Sequence, residues 1–132
     1  MVIAAGFEMG TRFILSQDNS DWHPAYLQAL LNAQEGDDVA FDGVYGPCRG
    51  LRNAASLELL GSQRESDDVV ETTRKKIESM QRAQSDGDVV NGLVLTGQVA
   101  SAINSLIRVA EFVPEMAAEA AAILDRLASR RG

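Results

Sequence analysis

Two strong turn signals, Asp42-Gly43 and Gly46-Pro47, fall within one short stretch of the chain. Glycine reaches backbone angles closed to other residues and proline fixes φ, so no helix passes through residues 39–47. The stretch is read as a structured loop rather than a strand, and it separates one amphipathic segment before it from several after it. A length of 132 residues suits a single domain. With 45% hydrophobic but only 5% aromatic residues, the core of that domain should be aliphatic and rich in alanine.

Ahead of the loop, Thr11-Arg12-Phe13-Ile14-Leu15 is a short strand or one helical turn. Pro24 sits where a first helical turn tolerates proline, and Leu27, Leu30 and Leu31 repeat at helical spacing, which predicts a first helix over 24–34. Leu51, Ala54, Ala55, Leu57, Leu59 and Leu60 predict a second over 48–60. Ser66, Asp67 and Asp68 supply a cap and negative charge for a third, with Val70, Thr73, Ile77 and Met80 on one face. Glu71 with Lys75, and Glu78 with Arg82, should leave its opposite face solvated. Asp88 can cap a fourth helix whose Leu93, Val94, Val99, Ile103, Leu106 and Ile107 cover much of its circumference. Pro114 begins a fifth, with Glu115 and Glu119 at its start and Arg126, Arg130 and Arg131 at its end.

The expected fold is therefore all-α: a single-domain bundle of about five helices over 1–132, with a structured turn loop between the first two. Its expected core comprises Leu27, Leu30, Leu31, Ile77, Leu93, Ile103, Leu106, Leu124 and Leu127, and residues 88–131 read as a helical extension.

Composition removes several functions. The formal charge of -7 argues against nucleic acid as a partner and against an anionic membrane surface. The lone cysteine, Cys48, and lone histidine, His23, exclude an internal disulfide framework and a Cys/His zinc site, so no metal and no cofactor are expected. No apolar run reaches the roughly 20 residues that cross a bilayer. No basic region precedes the apolar start, so the chain reads as made in the cytoplasm without a signal peptide, which suits incorporation in a virion or larger assembly.

Leu27-Gln28-x-Leu30-Leu31-Asn32, followed at a fixed distance by Asp42-Gly43-Val44-Tyr45-Gly46-Pro47, resembles the first half of the peptidoglycan-binding domain family. The resembling segment is placed at 22–61 within the chain. The match itself covers residues 27–47; beyond it Cys48-Arg49-Gly50 intervenes, and positions that are apolar in the family fall on Asn53 and Ser56. The resemblance implies a small helical module in which the loop leads into a second helix started by Pro47. It also implies a non-catalytic function, binding of cell-wall glycan, with glycan or other protein chains as partners. The alternative is a structural assembly subunit, for example of a phage particle, that uses helical surfaces for homo- or hetero-oligomeric contacts. An enzyme is not expected.

Candidate glycan-binding residues are Asp42, Gly43, Tyr45 and Gly46 in the loop, with Trp22 and Tyr26 at its edge; candidate interface residues are Leu95, Gly97, Ser101 and Val109. Simpler roles stand beside these. The loop can serve as a turn alone, Trp22 and Tyr26 can be packing, and Gly97 and Ser101 can mark close backbone approach within the subunit. No catalytic residues are assigned. Cys48 lacks a nearby base and reads as an inert buried thiol. Glu35, Asp37, Asp38 and Asp42 fit neither a calcium loop nor a glycosidase pair and read as solvated acids. Arg74-Lys75-Lys76 reads as a solvated charge run.

Overall fold

Residues 38–42 read Asp-Val-Ala-Phe-Asp, and this alternation places Val39 and Phe41 on one side of an extended backbone. In the computed structural model, which describes residues 9–62 and 69–130, they form a strand. The element order is α1 (Thr11–Ile14), α2 (Pro24–Leu31), β1 (Asp38–Asp42), β2 (Pro47–Leu51), α3 (Ala54–Ser62), α4 (Val69–Ser85), a 3-10 turn (Ala100–Ala102) and α5 (Val109–Ser129).

β1 and β2 form an antiparallel hairpin in which Asp42 pairs with Pro47 and Asp38 with Leu51. The all-α expectation is thereby overturned. The turn signals were real, but they close a hairpin instead of joining two helices. Gly43 N–H donates to Gly46 O at 2.8 Å, and Gly46 has φ +128°, a conformation that only glycine adopts readily. Pro47 opens β2, where its missing donor costs no ladder bond, instead of starting a helix. Asp38 and Arg49 form an ion pair across the hairpin. The second helix accordingly begins at Ala54, not at Cys48.

α2 matches expectation closely. His23 caps it, accepting from Ala25 N–H at 3.1 Å, Pro24 occupies its first turn, and Tyr26, Leu27 and Leu30 are buried. α4 also forms, but its buried residues are Lys76 and Ala83, whereas Val70 and Ile77 are exposed. The reason is its neighbours: Lys76 Nζ donates to Gly43 O at 3.2 Å and Ser79 accepts from Leu93 N–H, which turns that side inward. The expected cap at Ser66 lies outside the described residues.

The fourth expected helix does not exist. Residues 88–99 run as turns and extended backbone: one i−4 bond forms, from Gly92 N–H to Asp88 O, but beyond it the backbone groups of Leu93, Val94 and Thr96 are claimed by other elements. Asp88 caps the N–H groups of Val90 and Asn91. The Asn53 side chain donates to Val89 O at 2.7 Å and Gly92 O at 2.8 Å, while its Oδ1 accepts from Ser56 N–H at the start of α3. Leu51 N–H donates to Val94 O, Thr96 N–H to Arg49 O, and Gly50 bridges Leu95, so the segment lies along the outer edge of β2.

Because that backbone is extended, consecutive residues point to opposite sides. Val94 enters a cluster with Leu15, Tyr26, Leu27, Leu30 and Ala83; Leu93 enters another with Val39, Phe41, Ala55 and Leu59. Within residues 88–107, Leu93, Val94, Ala100 and Ile107 are buried, whereas Val90 and Val99 are exposed. Of the other expected core residues, Leu31 and Ile103 are partly buried, while Leu106, Leu124 and Leu127 are exposed. α5 starts at Val109, ahead of Pro114, and none of its residues is buried. Among the described residues no helix is long and apolar enough to cross a membrane.

Gly92 tests this arrangement. A Cβ built there would lie 2.5 Å from the backbone nitrogen of Ala83, which cannot yield without moving α4. Gly92→Ala should therefore lower stability by about 1–3 kcal/mol, the usual range for overpacking, seen as a drop in melting temperature. An unchanged melting temperature would refute the close packing of residues 88–94 on α4.

Candidate functional site

The candidate glycan residues do not form one surface. Tyr45 lies at the hairpin tip and is fully exposed. Tyr26 is fully buried, with its hydroxyl donating to Leu95 O at 3.1 Å, and Trp22 packs edge-on against it with ring centroids 4.8 Å apart. Trp22 and Tyr26 thus belong to the core beneath α2. Asp42, Gly43 and Gly46 build the hairpin turn. The candidate interface residues are equally dispersed. Leu95 packs on the cluster around Phe41, Gly97 N–H donates to Thr11 Oγ1 at 2.7 Å, Ser101 lies exposed in the 3-10 turn, and Val109 begins α5.

Desolvation of Tyr26 raises its phenol pKa well above the ordinary value of 10.0. It is a neutral donor that fixes Leu95, and it is unsuited to be a general base.

Two concavities among the described residues are of a size to receive a small group. The first, of about 300 Å³, lies beside α2 and is lined by Trp22, Leu27, Leu31 and Leu106, with Gln17 and Asn19 at its rim. No titratable side chain lines it, so it can receive an apolar group and offer amide hydrogen bonds, but it cannot move a proton. Sequence reasoning placed Leu106 in a helix and so missed this recess. The 3-10 turn and the parallel bridge of Ser16 with Ile107 carry Leu106 there.

The second, of about 330 Å³, lies between α3 and α4, where Glu58, Glu71, Lys75, Lys76, Glu78 and Arg82 line it with Ala55, Leu59 and Leu93. Its charges are mixed, and the Arg74 guanidinium beside Glu71 holds that carboxyl below the usual range. Lys76 is a correction to the solvated charge run: its side chain passes into the core and its ammonium reaches the hairpin turn. No group of three or more His, Cys, Asp or Glu residues among those described could hold a metal ion. Asp37 accepts from Gln34 N–H at 2.7 Å, and Asp38 is paired with Arg49, so both are structural acids. Cys48 is a free, half-buried thiol against the Phe41 cluster.

The fold is similar to part of FabK from Thermotoga maritima, with a TM-score of 0.73 and 26% identity over 92% of this chain. The M276A mutant of that protein matches with a TM-score of 0.69 and the same identity and coverage of this chain. The chain spans 38% of the length of FabK in the first match and 36% in the second. No family model and no curated protein sequence matches it. Similarity to FabK overturns the expected function as a cell-wall glycan module or a structural virion subunit. The peptidoglycan-binding resemblance rests on residues 27–47 alone, and these fold as α2 and a hairpin.

Tyr26 yields a prediction with a defined sign. Its folded pKa lies above the unfolded value, so the stability present below pH about 10 is lost progressively as pH rises further, because the unfolded chain releases the proton first. Tyr26→Phe should cost about 1–2 kcal/mol at neutral pH, by leaving Leu95 O without its donor, and should flatten the alkaline fall in stability. Equal alkaline slopes in both proteins would exclude Tyr26 as the source.

Proposed function

We propose that this chain is part of an enzyme of the FabK kind, an enoyl-acyl-carrier-protein reductase. The observation that carries this reading is the fold similarity over 92% of the chain at 26% identity. The recess beside Trp22 can take an aliphatic or ring group and is lined by no titratable side chain.

Reduction of an enoyl thioester adds a hydride and a proton across the carbon–carbon double bond, and the hydride can be followed through its donor. The protein in its native assembly, given a crotonyl thioester of acyl carrier protein, should oxidise NADH or NADPH faster than with the saturated butyryl thioester. Equal rates with both thioesters, or no oxidation with either donor, would exclude the reductase reading.

A further inference from the structure

Asn91 is followed by glycine, the sole Asn-Gly step in the sequence. Such a step invites attack on the side-chain amide by the next backbone nitrogen, because glycine has no Cβ to crowd that nitrogen. A bond forms between Gly92 N, which gives up its proton, and Asn91 Cγ, while the bond from Cγ to Nδ2 breaks and ammonia leaves. Water then opens the cyclic imide on either side, giving aspartate or isoaspartate. In isoaspartate the main chain runs through Cβ and is one atom longer. Apart from water, the reacting groups are neighbours in the chain, so the reaction needs no free surface.

The fold restrains both reacting groups. Gly92 is buried, and its N–H donates to Asp88 O at 2.9 Å. The Asn91 carboxamide donates from Nδ2 to both oxygens of the Asp88 carboxylate, at 3.1 and 3.0 Å, and Asn91 N–H donates to Oδ1 at 2.9 Å. These donors, the backbone N–H foremost, hold the Asp88 carboxyl below the usual carboxylate range. The carbonyls are engaged as well: Arg82 Nη1 donates to Asn91 O at 3.2 Å, and Asn53 Nδ2 donates to Gly92 O at 2.8 Å. Attack therefore requires Gly92 N–H to leave Asp88 O and the carboxamide to leave the Asp88 carboxylate. The product fits the closed turn badly. Either acid sets a carboxylate where Asp88 accepted from an amide, and like charges in contact repel. Isoaspartate also displaces Gly92 from its place against the Ala83 backbone, where not even a Cβ has room.

We propose that Asn91 is a deamidation site kept latent by the fold: Asp88 holds it unreactive while the turn at residues 88–92 is closed, and conversion to aspartate or isoaspartate once the turn opens prevents it from closing again. The step consumes one water and releases one ammonia, and it is irreversible. It falls where Asn53 directs residues 88–94 into the core, so opening of this junction leaves a covalent record. The inference goes beyond the proposed activity and does not depend on it.

The test holds the full chain at mildly alkaline pH, either folded or in urea, and follows each asparagine by peptide mass spectrometry with an isoaspartate methylation assay. In urea Asn91 should convert first among the asparagines. In the folded chain it should convert at least about tenfold more slowly, because attack needs the local opening that also exposes the Gly92 amide to hydrogen exchange. Chains converted in urea and diluted back into buffer should melt about 4 °C or more below unconverted chains treated alike. Equal rates in the two states, no conversion at Asn91 in urea, or converted chains that regain the native melting temperature would each overturn the proposal. Asp88→Asn gives a second reading, since it replaces an acceptor oxygen with an amide at nearly unchanged shape. It should raise the rate in the folded chain several-fold beyond what its shift in urea midpoint accounts for. A rise no larger than that shift explains would overturn the assignment of the lock to Asp88.

Discussion

The carboxamide of Asn53 joins the start of α3 to the distant segment at residues 89–92. Its oxygen accepts the N–H of Ser56 at the start of α3, and its nitrogen donates to the carbonyls of Val89 and Gly92. One side chain thus fixes where a helix begins and where a distant segment must pass. With the carbonyls of residues 89 and 92 engaged, that segment is held out of a helix, and its next residues take up bonds with Ser79, Leu51 and Arg49. Leu93 and Val94 then divide between the two hydrophobic clusters. An amide suits this position because it presents two donors and an acceptor from one planar group, which no apolar or singly functional side chain can do.

Around that junction the chain sorts into a hydrogen-bonded framework and the surfaces it offers outward. The framework contains the buried polar groups: Tyr26 on Leu95, Thr11 on Gly97 and Lys76 on Gly43 each tie a helix to irregular backbone. The outward surfaces are the recess beside Trp22 and the mixed-charge groove on α4. Such a division fits a chain that spans 38% of the length of FabK.

Several features are legible in the residues alone. The proline start of α2, the acidic and basic ends of α5, the long amphipathic segment of α4 and the turn at 43–46 all follow from rules that act within a few residues. The strand β1 is legible too, in the alternation of Val39 and Phe41 with polar or small neighbours. The adjoining turn signals obscure it, since glycine and proline mark a reversal of the chain without saying which elements it joins. The candidate site is not legible. Trp22 and Tyr26 are near neighbours in sequence and suggest an exposed aromatic pair, but burial of a tyrosine depends on whether a distant acceptor, here Leu95 O, is present to satisfy its hydroxyl.

The sequence by itself determined the local elements whose signals lie within a turn or two: where helices can start, where the chain must reverse, and which faces are apolar. Tertiary structure alone decided the state of residues 88–107. Their hydrophobic pattern is compatible with a helix, and Asp88 is a sound cap. What settled the matter was competition for backbone groups by Asn53, Ser79, Leu51 and Arg49, each remote in sequence from its partner. A helix satisfies its polar groups internally and can be read from its own residues; an extended segment depends on neighbours that only the folded chain brings into place.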